Sequence, residues 1–463
     1  MKINLNYKII YIKLLIFSYI IINILQYNLY IENESFNLNY YYYSDLQKQS
    51  NLTFENKIKT KIKIGIFTVG LKNGGRARIT SQLIKYLTKI KIFEIYLFTQ
   101  KIKEENEYIN QEICKRILIN NYNIYKLINE IKKKKLDILI YQLSNDTEID
   151  ILNNLKNIKI IYYLHQSLLY WIYANYSIFK SLYKVYQKSK YIINLVPFEN
   201  DYLFKNWGIS SILMDNFVTY EYDNIISSEL LSKIIIMIGR GADKYKRFKL
   251  GIQSMEYIID DIPESELRII SDIEYISLLK DLVFNLNLQS HIKFLGFSLS
   301  PEFHFKNASL HLFPTLSESF GLVLCETKIY GIPNILVGLD YVTIAKKGTI
   351  IIYDDTPESI AKESIKILKF HKYRKKIGVD ARKSMKKLKN KILIKKWIKL
   401  LLSIYKDDIY YNNLRLKKNV IINNNILTNL KTQIELLKMR DIFFGNITIN
   451  NIRNFTFLEQ LTR

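Results

Sequence analysis

Cysteine is nearly absent: Cys114 and Cys325 are the only two among 463 residues. That pair excludes a disulfide framework and any cysteine-built metal site. Zinc-ligand spacings are missing too, and so is any recognised nucleic-acid-binding motif. Acidic residues are short in supply, 43 against 68 Lys and Arg, leaving a formal charge of +25. Such an excess invites a nucleic-acid partner. The lysines are scattered, however, with KKKK at 132–135 as the one tight run, and the chain is saturated with Lys, Asn, Ile and Tyr. An A+T-rich coding sequence imposes that bias, so no nucleic-acid partner is expected. A basic surface would still favour anionic lipid headgroups. Sequons such as those at Asn51, Asn145 and Asn307 arise by accident in a chain this rich in asparagine and do not fix its compartment.

One long apolar run stands out, IIYIKLLIFSYIIINIL at 9–25, interrupted by Lys13 and Asn23. It is slightly short for a spanning helix and long for a signal core. No small-residue cleavage site follows it, since Tyr27 to Tyr30 are bulky. Residues 1–31 are therefore expected to be an apolar helix acting as an uncleaved membrane anchor. A cleaved signal and a buried N-terminal helix are the alternatives. Lysines before the run and Glu32, Glu34 and Asp45 after it favour a cytosolic N-terminus and a lumenal catalytic part. The expected location is membrane-associated, of endoplasmic reticulum or Golgi type in a eukaryote. Residues 32–57 form a polar stem, and 413–463 a C-terminal extension in which no chemistry is visible.

The length exceeds one core and suits two domains with appendages. Strand-like runs near 62–67, 93–98, 136–143, 158–164 and 191–196 alternate with helical stretches. After a polar region around 219–232, runs near 234–239, 267–271, 292–296, 310–313, 334–338 and 349–353 do the same. This alternation predicts an α/β protein of two doubly wound parallel-sheet domains, at 58–218 and 219–412. A ligand is expected outside the carboxyl ends of the strands.

The chemistry concentrates in HLFPTLSESFGLVLCETKIYGIP. Leu310 to Phe313 read as a buried strand, Thr315 to Phe320 as a polar loop, and Gly321 to Tyr330 as a helix stopped by Gly331 and Pro333. The N–H groups at that helix start suit a phosphate. Glu318 precedes the helix and Glu326 lies inside it, so both carboxylates can face one crevice. Upstream, the apolar run 234–238 leads into GRGADKYKRFKLGIQSM. A strand, a glycine turn, Arg240 and Lys246 opening a helix would bring two cations to the same crevice. Lys244 and Arg247 compete with Lys246 for the role, and the guanidinium fork of Arg240 matches phosphate oxygens best. Gly74 and Gly75, in TVGLKNGGRAR after the first strand, would let the backbone approach a ligand. His165 ends the strand-like run IKIIYYLHQ.

The order P-T-S-E-S-F-G-L-E-G-P resembles the E-x7-E motif of family 4 glycosyltransferases, enzymes of the GT-B fold. The resemblance covers roughly 60–405 and is strongest in the second half. It implies a GT-B architecture of two Rossmann-like lobes around a cleft, an acceptor lobe followed by a donor lobe. It further implies retaining sugar transfer from a nucleotide sugar, UDP- or GDP-linked, as co-substrate, without a bound metal or other cofactor. The acceptor would be a glycan or a lipid-linked molecule at a membrane. By the same resemblance, Arg240 and Lys246 would neutralise the donor diphosphate and Glu318 would hold the transferred sugar. Glu326 would hold the ribose, with Phe320, Gly321, Leu322, Gly74 and Gly75 lining the donor site and His165 near the reacting sugar. A GT-B epimerase or phosphorylase, or a non-catalytic sugar-nucleotide-binding protein, is the alternative.

Overall fold

The computed structural model describes residues 60–406, apart from 73, 102–106, 109–112, 121–122, 143–150, 152–153, 168–181, 183, 187, 198, 201–202, 204–207, 240–242, 272–275, 299 and 340–341. The expected apolar anchor, stem and C-terminal extension lie outside the described residues. So does Arg240. Among the described residues no helix is long and apolar enough to cross a membrane.

Two parallel sheets organise the described chain. The first contains β1 (Ile62–Thr68), β2 (Phe93–Thr99), β3 (Lys115–Leu118), β4 (Ile138–Tyr141), β5 (Lys159–Tyr163), β6 (Tyr191–Asn194) and β7 (Ile212–Leu213). Its spatial order is β3-β2-β1-β4-β5-β6-β7. The second contains β8 (Ile234–Ile238), β9 (Glu266–Ile270), β10 (Ile292–Phe294), β11 (Leu310–Phe313), β12 (Asn334–Val337) and β13 (Thr349–Ile352), in the order β10-β9-β8-β11-β12-β13. Central strands such as β4 and β12 are buried at every position, as strands covered on both faces must be. The edge strands β3 and β7 have no counterpart among the expected runs. Polar, half-exposed KRIL and a two-residue pairing carry too little hydrophobic pattern to be read.

Each sheet reverses its strand order once, between β1 and β4 in the first and between β8 and β11 in the second. A crevice opens outside the carboxyl ends of the strands at such a reversal. After β1 the chain enters α1 (Gly75–Leu87), and after β8 it enters α3 (Asp243–Lys246) and α4 (Phe248–Asp261). After β11 it crosses the loop 314–321 into α7 (Leu322–Ile329). Between these lie α2 (Ile124–Lys134), α5 (Ile276–Asn285) and α6 (Glu302–Phe305). The chain ends in α8 (Pro357–Lys369), α9 (His371–Ser384) and α10 (Asn390–Lys406).

The last helix returns to the first lobe. Trp397 of α10 is fully buried, its ring 5.3 Å from that of Tyr163, and Lys159 donates to the Tyr405 carbonyl at 2.6 Å. At the start of α10, Asn390 accepts from the Val218 N–H at 2.9 Å and returns a bond to the Val218 carbonyl at 2.8 Å. One buried amide thus satisfies the backbone of the segment joining the sheets, as a neighbouring strand would.

Lys328 is a costly group to bury. Lys328 of α7 is fully buried and donates to the Ile344 carbonyl. Burial pulls its ammonium down from 10.5 to about 7. The unfolded chain therefore binds more protons than the folded one between these values, so stability rises with pH across that window. The gain is on the order of 4 kcal/mol between pH 7 and pH 10.5. Lys328→Met should be more stable than wild type at neutral pH, with an advantage that shrinks as pH rises. Denaturant midpoints at several pH values check this. Parallel pH dependence of the two proteins would show that Lys328 is not a buried, depressed amine.

Candidate active site between the two sheets

The loop 314–321 takes its shape from backbone contacts with the chain after β8. Leu316 N–H and the Thr315 hydroxyl both donate to the Tyr245 carbonyl, at 2.9 and 3.0 Å. Phe320 is buried and anchors the loop end. Gly321 then sits at φ 78°, ψ 68°, a left-handed conformation that costs other residues, and α7 starts at once. The helix was expected over Gly321 to Tyr330, and the observed boundaries agree to within one residue at each end.

Lys246 closes the short α3 rather than opening a helix. Its stem lies across Gly239, where an added Cβ would stand 3.1 Å from the Lys246 Cγ. The ammonium reaches Glu318 at 3.3 Å and stands 5.6 Å from the centre of the Phe313 ring. Arg247 does not join it. Its guanidinium binds the Asp355 carboxylate and the Pro314 carbonyl, bracing the loop inside its own lobe.

The first lobe supplies the facing wall. Gly74, at φ 89°, turns the chain into α1, and Gly75 packs so tightly that an added Cβ would meet Leu322 Cδ1 at 3.2 Å. The amino ends of α1 and α7 therefore meet across the crevice. His165 follows β5; its carbonyl accepts from the Ser319 hydroxyl at 2.6 Å, and Ser167 lies 3.1 Å from Ser317. The His165 ring stacks tilted on Tyr163 at 4.1 Å, and both ring nitrogens are shielded from solvent without a hydrogen-bond partner among the described residues.

Glu326 departs most from expectation. Instead of lining an open crevice it is 1% exposed, its Oε1 accepting from Arg78 Nη1 of α1 and from the Thr219 hydroxyl at 2.6 Å. Burial is the largest influence on its carboxyl and pushes it up, while Arg78 and Thr219 pull the other way. Burial, the largest influence on the Arg78 guanidinium, pulls it down, but the Glu326 carboxylate and nearby tyrosines outweigh it, so the group is displaced upward and stays cationic. The residues brought together are thus Gly74, Gly75, His165, Lys246, Glu318, Gly321, Leu322 and Glu326. Arg78 and Thr219 complete them and were not read from the sequence. A signal for Arg78 existed: the first turn of α1 has no acid and carries Arg76 and Arg78, against the helix dipole. Cations placed there imply an anion nearby. Thr219, in a polar stretch, left no such mark.

The groups at the crevice are of two chemical kinds. Lys246 and Glu318 are partly exposed there, a cation and the N–H groups opening α7 suit phosphates, and a carboxylate suits hydroxyls, whereas Glu326 and the His165 nitrogens are shielded from solvent. No three His, Cys, Asp or Glu side chains gather as metal ligands among the described residues.

Burial, with Arg76 adding to it, pushes the His165 imidazolium down to about 3. His165 is therefore neutral at every pH where the protein would be assayed. With five histidines in the chain, the His165 ring protons can be assigned by comparison with His165→Asn. They should not titrate between pH 5 and 8. A midpoint near the ordinary value of 6.5 would contradict this enclosure.

Residues 221–384 match the family model described as glycosyl transferases group 1. No curated protein matches the chain in sequence. Among solved structures, sucrose-phosphate synthase from Thermosynechococcus elongatus aligns at 14% identity over 74% of this chain and 100% of its own, with a TM-score of 0.61. Anabaena HepE, solved with UDP and glucose, aligns at 12% identity over 74% of this chain and 100% of its own, TM-score 0.62. A TarM variant from S. aureus, solved with UDP, fondaparinux and alpha-GlcNAc-glycerol, aligns at 11% over 75% and 99%, TM-score 0.58. At such identities the likeness is one of fold. Two parallel-sheet lobes shared with GT-B glycosyltransferases, and a glycosyl transferases group 1 match in the second lobe, support a transferase enzyme.

Proposed function

We propose that this protein is a retaining glycosyltransferase akin to family 4, moving a sugar from a nucleotide sugar to a glycan or lipid-linked acceptor. The observation that carries the reading is the meeting of two helix amino ends, Lys246 and two carboxylates at the facing strand-order reversals of two sheets. The neighbours HepE and TarM were solved with UDP, which favours a nucleoside diphosphate sugar as the donor class. Within that class a UDP-linked sugar is the first choice and a GDP-linked sugar the second.

In this reading the reaction is mainly stabilisation of departing charge. As the bond from the sugar to the diphosphate breaks, negative charge grows on the phosphate. Lys246, Arg240 and the N–H groups at Gly321-Leu322 meet it, so the chemistry needs no bound metal. Glu326 holds the donor ribose, Glu318 the hydroxyls of the transferred sugar, and the neutral His165 ring a further hydroxyl beside it. Contact between the lobes keeps water, a competing acceptor, from the reacting carbon. The acceptor enters along the first lobe, and residues 1–31 tether the enzyme to a membrane.

A calorimetric screen of UDP-, GDP- and other nucleotide sugars, followed by product analysis with a donor labelled in the sugar, tests the proposal. Label should move to an acceptor with its configuration retained. An epimerised nucleotide sugar or a labelled sugar phosphate would indicate one of the alternative activities instead. Folded Glu326→Ala should bind the donor weaker by about 1.5–3 kcal/mol, the worth of a charged hydrogen bond. Lys246→Ala should cost turnover more than affinity, on the order of a hundredfold, because its partner gains charge only as the bond breaks. Unchanged affinity in Glu326→Ala, or wild-type turnover in Lys246→Ala, would refute the donor site.

A further inference from the structure

Glu326 is enclosed by groups from several elements, and few of them favour its charge. Glu302 of α6 acts on it as a second negative charge. Tyr220, Tyr330 and the Cys325 thiol also face it, and burial pushes each of these acids up, so they remain neutral at ordinary pH. The cation beside it is Arg78, which belongs to α1 of the opposite lobe. Thr219, on the segment between the sheets, adds a hydroxyl donor. Both donors reach the same oxygen. Oε1 takes Arg78 and Thr219, whereas Oε2 is shielded from solvent and has no hydrogen-bond partner among the described residues. An unused acceptor on a buried carboxylate is uncommon and marks a place where a donor group is missing.

We propose that Arg78 is a positioning residue for donor recognition: reaching across from the first lobe, it holds Glu326 as a carboxylate and fills one oxygen, leaving the other for a donor hydroxyl. The inference rests on the reading that Glu326 binds the donor. Its consequence is that the second lobe does not possess a finished donor site by itself. The carboxylate is charged and correctly turned only while α1 is against α7, so recognition of the nucleotide sugar and contact between the lobes are one event. Gly75 eases that approach, since an added Cβ would stand 3.2 Å from Leu322 Cδ1 and require that side chain to shift slightly.

Removing Arg78 should raise the Glu326 carboxyl further above its ordinary 4.5. The folded protein then binds a proton that the unfolded chain releases, so stability is lost as pH rises from that value. Thermal unfolding of the full, ligand-free chain from pH 5 to 8 is the first measurement. Arg78→Met should fall progressively below wild type as pH rises, and adding Glu326→Gln should abolish that slope. An Arg78→Met chain that folds only when Glu326→Gln is added would support the pair equally. The second measurement is UDP-glucose binding by calorimetry over the same range. Wild-type affinity should change less with pH than that of Arg78→Met. Arg78→Met should bind more weakly than wild type at pH 5.5 and recover as pH rises. Arg78→Lys, keeping the charge but not the fork, should fall between them.

The outcomes separate the two layers of the claim. Glu326→Gln binding UDP-glucose as tightly as wild type would remove Glu326 from donor recognition altogether. Weak binding by Glu326→Gln, combined with an Arg78→Met whose affinity and stability follow pH as wild type does, would leave the donor site standing and overturn the role of Arg78.

Discussion

A carboxylate buried between two lobes must be neutralised by something that reaches it, and at Glu326 the cation comes from the other lobe. Breaking such a pair costs about 3–5 kcal/mol, because the remaining charge is stranded away from water. Much of the surrounding geometry serves to keep the pair made. Gly74 aims α1, Gly75 lets it approach Leu322, and Thr219 fixes the rotamer of the carboxylate. The segment that carries Thr219 is held in turn by the Asn390 amide on the Val218 backbone. Its other brace is Tyr86 of α1, whose hydroxyl donates to Glu221 at 2.5 Å. The return of α10 to the first lobe therefore contributes to the site without touching it.

The crevice holds its charges in pairs, Lys246 with Glu318 and Arg78 with Glu326. A nucleotide sugar carries partners for both kinds of group, phosphate oxygens for the cations and hydroxyls for the carboxylates. Under the proposed function, this pairing would hold each side chain near the position a nucleotide sugar requires, which lowers the ordering cost of binding. Lys246 and Glu318 are partly exposed, so their mutual attraction is weak, and under the proposed function the ammonium would exchange the carboxylate for a phosphate. Arg78 and Glu326 are enclosed and stay together. One pair is poised to open, the other to persist.

Where the hydrophobic pattern was strong, the sequence foretold the structure. Strands β8 and β11, continuous apolar runs ended by glycine or proline, fall where their composition places them, and so does the loop into α7. Edge strands β3 and β7 left no periodicity. Side-chain pairing was harder still. Lys246 and Arg247 are adjacent cations after the same strand, and only three-dimensional placement distributes them to Glu318 and Asp355. The burial of Glu326 was illegible from its own helix, because the group that enters beside it lies 248 residues away in the chain. Two arginines at the positive end of α1 were the one trace of that contact in the sequence.

The most direct measurement is a crystal structure of the full chain with UDP-glucose bound. The ribose hydroxyls should lie within hydrogen-bonding distance of Glu326 Oε2 while Oε1 keeps Arg78. The diphosphate should rest on the Leu322 N–H and displace Lys246 from Glu318. A nucleotide lodged elsewhere, or one in this crevice whose ribose avoids Glu326, would contradict the assignment.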